Sequence, residues 1–156
     1  MMRRIVAAGA LALALAPAAS PAAPAAPPDA AAEKVRAELI EPFVAALALP
    51  DAEQSARATL PFVHPSLRSA SGDDLAADVK RFSFKKARSN VAAYGRPVRV
   101  VRTSQTAITA VGPPGASEAG TVVDYFLERK SGTPAPVRVF FPKESGRPTI
   151  AYMGSL

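Results

Sequence analysis

Only one side chain in this sequence has an unperturbed pKa near neutrality. His64, in the stretch LPFVHPSLRS, is the only histidine, and the chain has no cysteine and no tryptophan. An imidazole can work as a general base once an acid orients it, but no acid lies near His64 in sequence. The competing role is structural: a ring at a helix end, capping carbonyls or packing beside Pro65, where a positive charge also suits the helix dipole. The other polar groups that could line a ligand pocket are Tyr94, Tyr125 and Tyr152. Asp124, between Val123 and Tyr125, is the one acid that a strand could aim into a cavity. Cross-strand pairing with Arg138 is its plainer use. One histidine without cysteine removes zinc sites of the usual composition. Asp73, Asp74 and Asp78 sit at a helix start, where carboxylates are favoured anyway. No phosphate-binding glycine loop, nucleophile elbow or paired catalytic carboxylate motif occurs. No cofactor or metal is therefore expected.

A second group of residues is cationic. KRFSFKKARS places Lys80, Arg81, Lys85, Lys86 and Arg88 around Phe82 and Phe84. That mixture is compatible with nucleic acid or with an anionic membrane surface. The plain expectation is a solvated helix face with Phe82 turned into the core. The whole chain carries 19 basic and 13 acidic residues, a net charge of +6.

The start of the chain bears on which partners are available. MMRRIVAAGALALALAPAAS has two arginines, an apolar run from Ile5 to Ala16 and a break at Pro17, the three-part pattern of a secretory signal peptide over residues 1–18. The run is too short for a stable bilayer span, and without a following cysteine it predicts no lipid anchor and no transmembrane anchor. Residues 19–30 are nearly all Ala and Pro and read as a disordered leader. The chain is thus expected to be exported, periplasmic or secreted, which excludes nucleic acid as a partner and leaves anionic lipid or cell-wall polymer. Residues 31–156, about 125 residues, suit a single domain.

Within that domain, Glu33 to Leu49 predicts a helix with Val35, Leu39, Phe43, Ala46 and Leu47 on one face, kinked or divided by Pro42. Asp51 with Gln54 has capping-box spacing and predicts a second helix, with Ala56, Leu60 and Val63 inward, ending at His64 because Pro65 follows. Ser71 or Asp73 caps a third helix with the stripe Leu75, Val79, Phe82. Past Gly95 the period becomes alternating. PVRVVRTSQTAITAV, TVVDYFLER, VRVFFP and PTIAYM predict four antiparallel strands, so the fold class is α+β.

Turns centred on Gly132 and on Ser145-Gly146 set Val123 opposite Phe141, Tyr125 opposite Val139, Leu127 opposite Val137, Phe141 opposite Ile150 and Val139 opposite Tyr152. All of these residues then share the helix-covered face. The far face receives Val122, Phe126, Phe140 and Met153 among Asp124, Glu128 and Arg138. Phe126, Phe140 and Met153 left bare would form a patch that a two-fold axis could bury, with Arg138 and Asp124 pairing across it. The expectation is a homodimer through the sheet.

FVAALALPDAEQSARATLPFVHPSL, followed by a third helix and by TAITAVG and TVVDYFLERKSG, resembles the first two helices and long central strands of the NTF2-like (cystatin-like α+β cone) superfamily. SLRSASG stands where that family usually has a hairpin. The resemblance implies three N-terminal helices packed on a curved four-stranded antiparallel sheet, often with a cavity and a dimer through the sheet. Its members include enzymes and non-catalytic modules, so fold alone does not decide function. The thin catalytic vocabulary favours a non-catalytic binding or interaction module of the bacterial envelope. The alternative is a cofactor-free enzyme of isomerase or dehydratase type, acting on a small hydrophobic molecule in the cone, with His64 and the three tyrosines as its polar groups.

Overall fold

A computed structural model describes residues 30–113, 116–144 and 146–156. The expected signal peptide and all of the leader but Ala30 lie outside the described residues. Ala30 itself opens the first helix.

Helix α1 covers residues 30–47. It is α-helical over Ala30–Val35 and Glu41–Leu47, with a π-helical turn over Arg36–Ile40 between them. Proline cannot donate to the ladder and its ring crowds the carbonyl four residues earlier. The wider turn just before Pro42 lets the helix run on where a kink or a division was expected. Helix α2 (Ala52–Thr59) starts as its sequence requires, with the Gln54 N–H donating to the Asp51 carboxylate at 2.7 Å. It ends earlier than expected. Pro61 tightens Leu60–Phe62 into a 3-10 turn, and Val63 is already extended.

Helix α3 covers residues 77–93: Ala77–Val79, a π-helical turn over Lys80–Phe84, Lys85–Asn90, and a 3-10 end at Val91–Ala93. Neither Ser71 nor Asp73 caps it, because the N-cap position is Ala76. Between α2 and α3, the Pro65–Leu67 3-10 turn is followed by a minimal antiparallel bridge of Arg68 with Leu75, turned at Gly72, whose φ is +78°. That is what SLRSASG forms in the family hairpin's place.

Five strands follow, one more than expected: β1 (Val100–Gln105), β2 (Ala110–Val111), β3 (Glu118–Leu127), β4 (Ala135–Pro142) and β5 (Thr149–Tyr152). The sheet is antiparallel in the order β1-β3-β4-β5, with β2 also on β3. The extra strand comes from an interruption of the long Val/Thr-rich run. There Thr106 turns the chain by accepting the Ile108 N–H at 3.2 Å.

Pairing on β3–β4 is shifted by two residues from expectation, with Val123 opposite Val139, Tyr125 opposite Val137 and Leu127 opposite Ala135. An even shift leaves both faces unchanged. Tyr125, Leu127, Val137, Val139 and Ile150 are buried in the main core with Ile40, Phe43, Leu47, Val79 and Phe84, and Val123 and Phe141 pack at its margin.

Tyr152 is the exception. A β-bulge beside Arg138 and Val139 puts Val139 opposite Ile150 and Arg138 opposite Tyr152. The bulge turns Tyr152 out of the helix face, 42% exposed. Phe82 is the second departure. The π-helical turn sets the core positions of α3 at Val79, Phe84 and Ala87, and Phe82 is left 63% exposed.

The bare patch expected on the far face is absent. Met153 follows β5 into the main core beside Leu156. Phe140 is 1% exposed within the chain, with Val122 buried opposite it. Phe126, of which part is exposed, carries the Arg102 guanidinium 3.7 Å above its ring. Phe140 and Met153 are therefore not available to a sheet-to-sheet dimer.

Candidate functional site

The far-face cover begins with His64. Val63 forms a parallel bridge to Ile150, and the His64 N–H donates to the Ile150 carbonyl at 2.9 Å, so this segment prolongs the sheet beyond β5. Alternation along it sends Val63 into the main core and His64 to the opposite face. There the imidazole meets the Phe140 ring edge to face, 5.1 Å between centroids. Gly120 makes the third side. A Cβ at that position would lie 2.5 Å from the Phe140 ring and closer still to the Phe141 carbonyl oxygen, so only glycine lets β3 pass this close.

His64 is 4% exposed, and both ring nitrogens are engaged. The Ser66 N–H donates to Nδ1 at 3.2 Å, and the Ser66 hydroxyl lies 2.8 Å from the same nitrogen. Nδ1 thus accepts, and in neutral imidazole the proton sits on Nε2, which faces the Glu118 carboxylate at 3.3 Å. The sequence placed this ring at a helix C-terminus, capping carbonyls. Instead it caps the start of the Pro65–Leu67 turn, accepting an N–H. Two partners escaped the sequence reading. Ser66 was hidden because a ring-to-backbone cap two residues on has no marked signature. Glu118 was hidden because it arrives from β3, far along the chain.

An open groove of about 810 Å³ lies in front of the ring, lined by Ser66, Arg68, Ser69 and Glu118 among others. Arg68 donates to the Val63 carbonyl at 2.9 Å, while its buried Nε finds no acceptor among the described residues. Ser69 and Ser71 both hydrogen-bond the Asp73 carboxylate, and the Ser71 hydroxyl chiefly holds that carboxyl below its usual range.

The pocket candidates do not converge. Tyr94 is buried, with its hydroxyl accepting from Arg129 Nε at 3.3 Å. Tyr125 is inside the main core, and Tyr152 stands outside beneath Arg138. An enclosed recess of about 480 Å³ between α1 and the β4–β5 hairpin is walled by Val35, Leu39, Phe62 and Phe141 and contains neither His64 nor a tyrosine. Asp124 pairs with Arg138 directly across the ladder, 2.9 Å from oxygen to Nε. Among the described residues, no three His, Cys, Asp or Glu side chains gather in a way that could hold a metal ion.

The basic stretch divides into two kinds of residue. Lys80 bridges Glu53 and Asp74, each at 2.8 Å, and Arg88 donates to the carbonyls of Leu49 and Pro50 at the end of α1. Those two cations tie helices together. The Arg81 guanidinium lies 5.2 Å from the Phe82 ring, and Arg81, Lys85 and Lys86 have no carboxylate partner among the described residues. With Phe82 and Tyr152 they line a shallow groove of about 520 Å³ with no acidic side chain in its wall. Among the described residues, no helix is long and apolar enough to cross a membrane.

No protein-family model, curated protein or solved structure matches this chain.

Proposed function

We propose that the chain is an exported, non-catalytic binding module of the bacterial envelope, built on an NTF2-like α+β frame. One observation carries the reading. His64, Tyr94, Tyr125 and Asp124 are engaged within the fold, whereas cations without a carboxylate partner among the described residues and an exposed phenylalanine stand together on the outer face of α3. The charge and hydropathy pattern of residues 1–18 supports export, and three helices ahead of an antiparallel sheet support the frame.

The experiment is to express the full chain in a bacterial host and separate cytoplasm, periplasm and sedimented envelope. The expected protein begins between Ala19 and Ala32 and sediments with the envelope until salt releases it. Intact Met1 in the soluble cytoplasm, or a processed protein with no envelope association, overturns the reading.

One observation favours the alternative, cofactor-free catalysis. Ser66, His64 and Glu118 stand in the order nucleophile, base and acid. Against it, the nitrogen that would take the Ser66 proton already accepts the Ser66 N–H, and no tyrosine reaches the groove.

A further inference from the structure

We infer that the outer face of α3 is a docking surface for an anionic lipid bilayer, an inference that rests on the binding-module reading and names its partner. Phe82 is in the wrong place for a helix in water. Phe82 has no polar atom to hydrate, yet it is 63% exposed, because the π-helical turn over Lys80–Phe84 gives its core position to Phe84. Such turns cost helical regularity and recur at functional positions. Across the groove, the bulge on β4–β5 turns Tyr152 outward as well. Two independent backbone irregularities thus deliver two aromatic rings to one surface.

The charges complete the pattern. Arg81, Lys85 and Lys86 flank those rings with no carboxylate partner among the described residues, while Lys80 and Arg88 of the same stretch are held by the fold. Aromatic side chains that enter the interfacial region, ringed by cations that meet the headgroups, are the physical requirement for peripheral binding to an anionic bilayer. A cell-wall polyanion would satisfy the cations but would leave Phe82 without an apolar destination, and nucleic acid, whose bases could stack on the ring, is set aside by the export reading. Charge complementarity and the exposed apolar ring together select lipid.

The chain contains no tryptophan, so Phe82→Trp supplies a single indole at the proposed contact, excited selectively at wavelengths its tyrosines do not absorb. In the full chain this reporter reads its own surroundings, whatever the N-terminal segment does. With vesicles containing about one third phosphatidylglycerol, its emission is expected to shift to the blue and to be quenched by brominated acyl chains. Pure phosphatidylcholine vesicles should have little effect. Adding Lys85→Gln and Lys86→Gln should weaken the vesicle affinity by about thirtyfold, on the usual contribution of one cation near a charged surface.

Tyr152→Trp, made separately, gives a second reporter should the first variant lose its folded circular-dichroism spectrum. An unchanged emission in the folded reporter with anionic vesicles overturns the inference. So does a shift with a single-stranded oligonucleotide or teichoic-acid polymer but not with vesicles. Envelope sedimentation without any vesicle response would leave the binding-module reading standing and remove the lipid assignment alone.

Discussion

The corner around His64 and the outer face of α3 treat the same kinds of side chain in opposite ways. At the corner, an aromatic ring and a titratable ring are folded onto each other. Phe140 lies under the imidazole, Ser66 and Glu118 take its two nitrogens, and Gly120 gives up a side chain to admit them. On α3, Phe82 and the cations beside it are turned outward. The contrast teaches that chemical potential in a residue type is no guide to use. The histidine, the more reactive group, holds the structure, and the phenylalanine, the less reactive, is the one left free to meet a partner.

The largest expected effect tests the corner. Phe140→Ala removes a ring that the chain itself buries and should destabilise the fold by about 3–5 kcal/mol in urea titration. A loss below 1 kcal/mol would mean that Phe140 is not a core side chain. Gly120→Ala should cost about 3 kcal/mol by the same measurement, because its Cβ meets a backbone oxygen that cannot rotate away. His64→Gln should cost about 1–2 kcal/mol, since the Ser66 N–H and the buried ring both lose their complement. The sequence alone, treating His64 as a mere helix end, would put that cost near zero.

The smaller effects belong to α3. The hydrogen bond from Lys80 holds the Asp74 carboxyl below its ordinary value of 3.8. Stability from this contact is therefore present above that pH and lost as pH falls through the folded value. Since the Asp74 side chain is 40% exposed, solvent screens the pair and the loss on acid titration should stay under about 1 kcal/mol. Asp74→Asn should abolish that contribution. Phe82→Ser should change stability by no more than about 0.5 kcal/mol, because the ring touches little of the core. A large loss there would erase the distinction between the two regions.

Where the sequence carried a local signal, it was readable. Asp51 with Gln54 marked the start of α2, and strict alternation assigned the faces of β3 and β4 even though the turn was misplaced by a residue. The face assignments survived because an error of two in register preserves parity. The failures share one physical cause, a single inserted residue. The π-helical turn in α3 exchanged Phe84 for Phe82, and the bulge by Arg138 reversed Tyr152. Periodicity assumes even spacing and contains no mark for an insertion. The candidate site was half legible. His64 was singled out from composition, but Glu118 and Phe140 reach it only through the tertiary fold.

The π-helical turn in α3 also bears on how this surface can change over generations. Val79 and Phe84 are joined by five steps where four would serve an ordinary helix, so the segment holds one residue beyond what its core anchors need. Loss of one codon there would relax the winding and leave both anchors on the same inner stripe. Most helices cannot absorb such a change, because every later side chain would rotate by about 100°. Here the insertion and the outward aromatic stand or fall together. The docking face can be gained or erased in one genetic step while the interior keeps its packing.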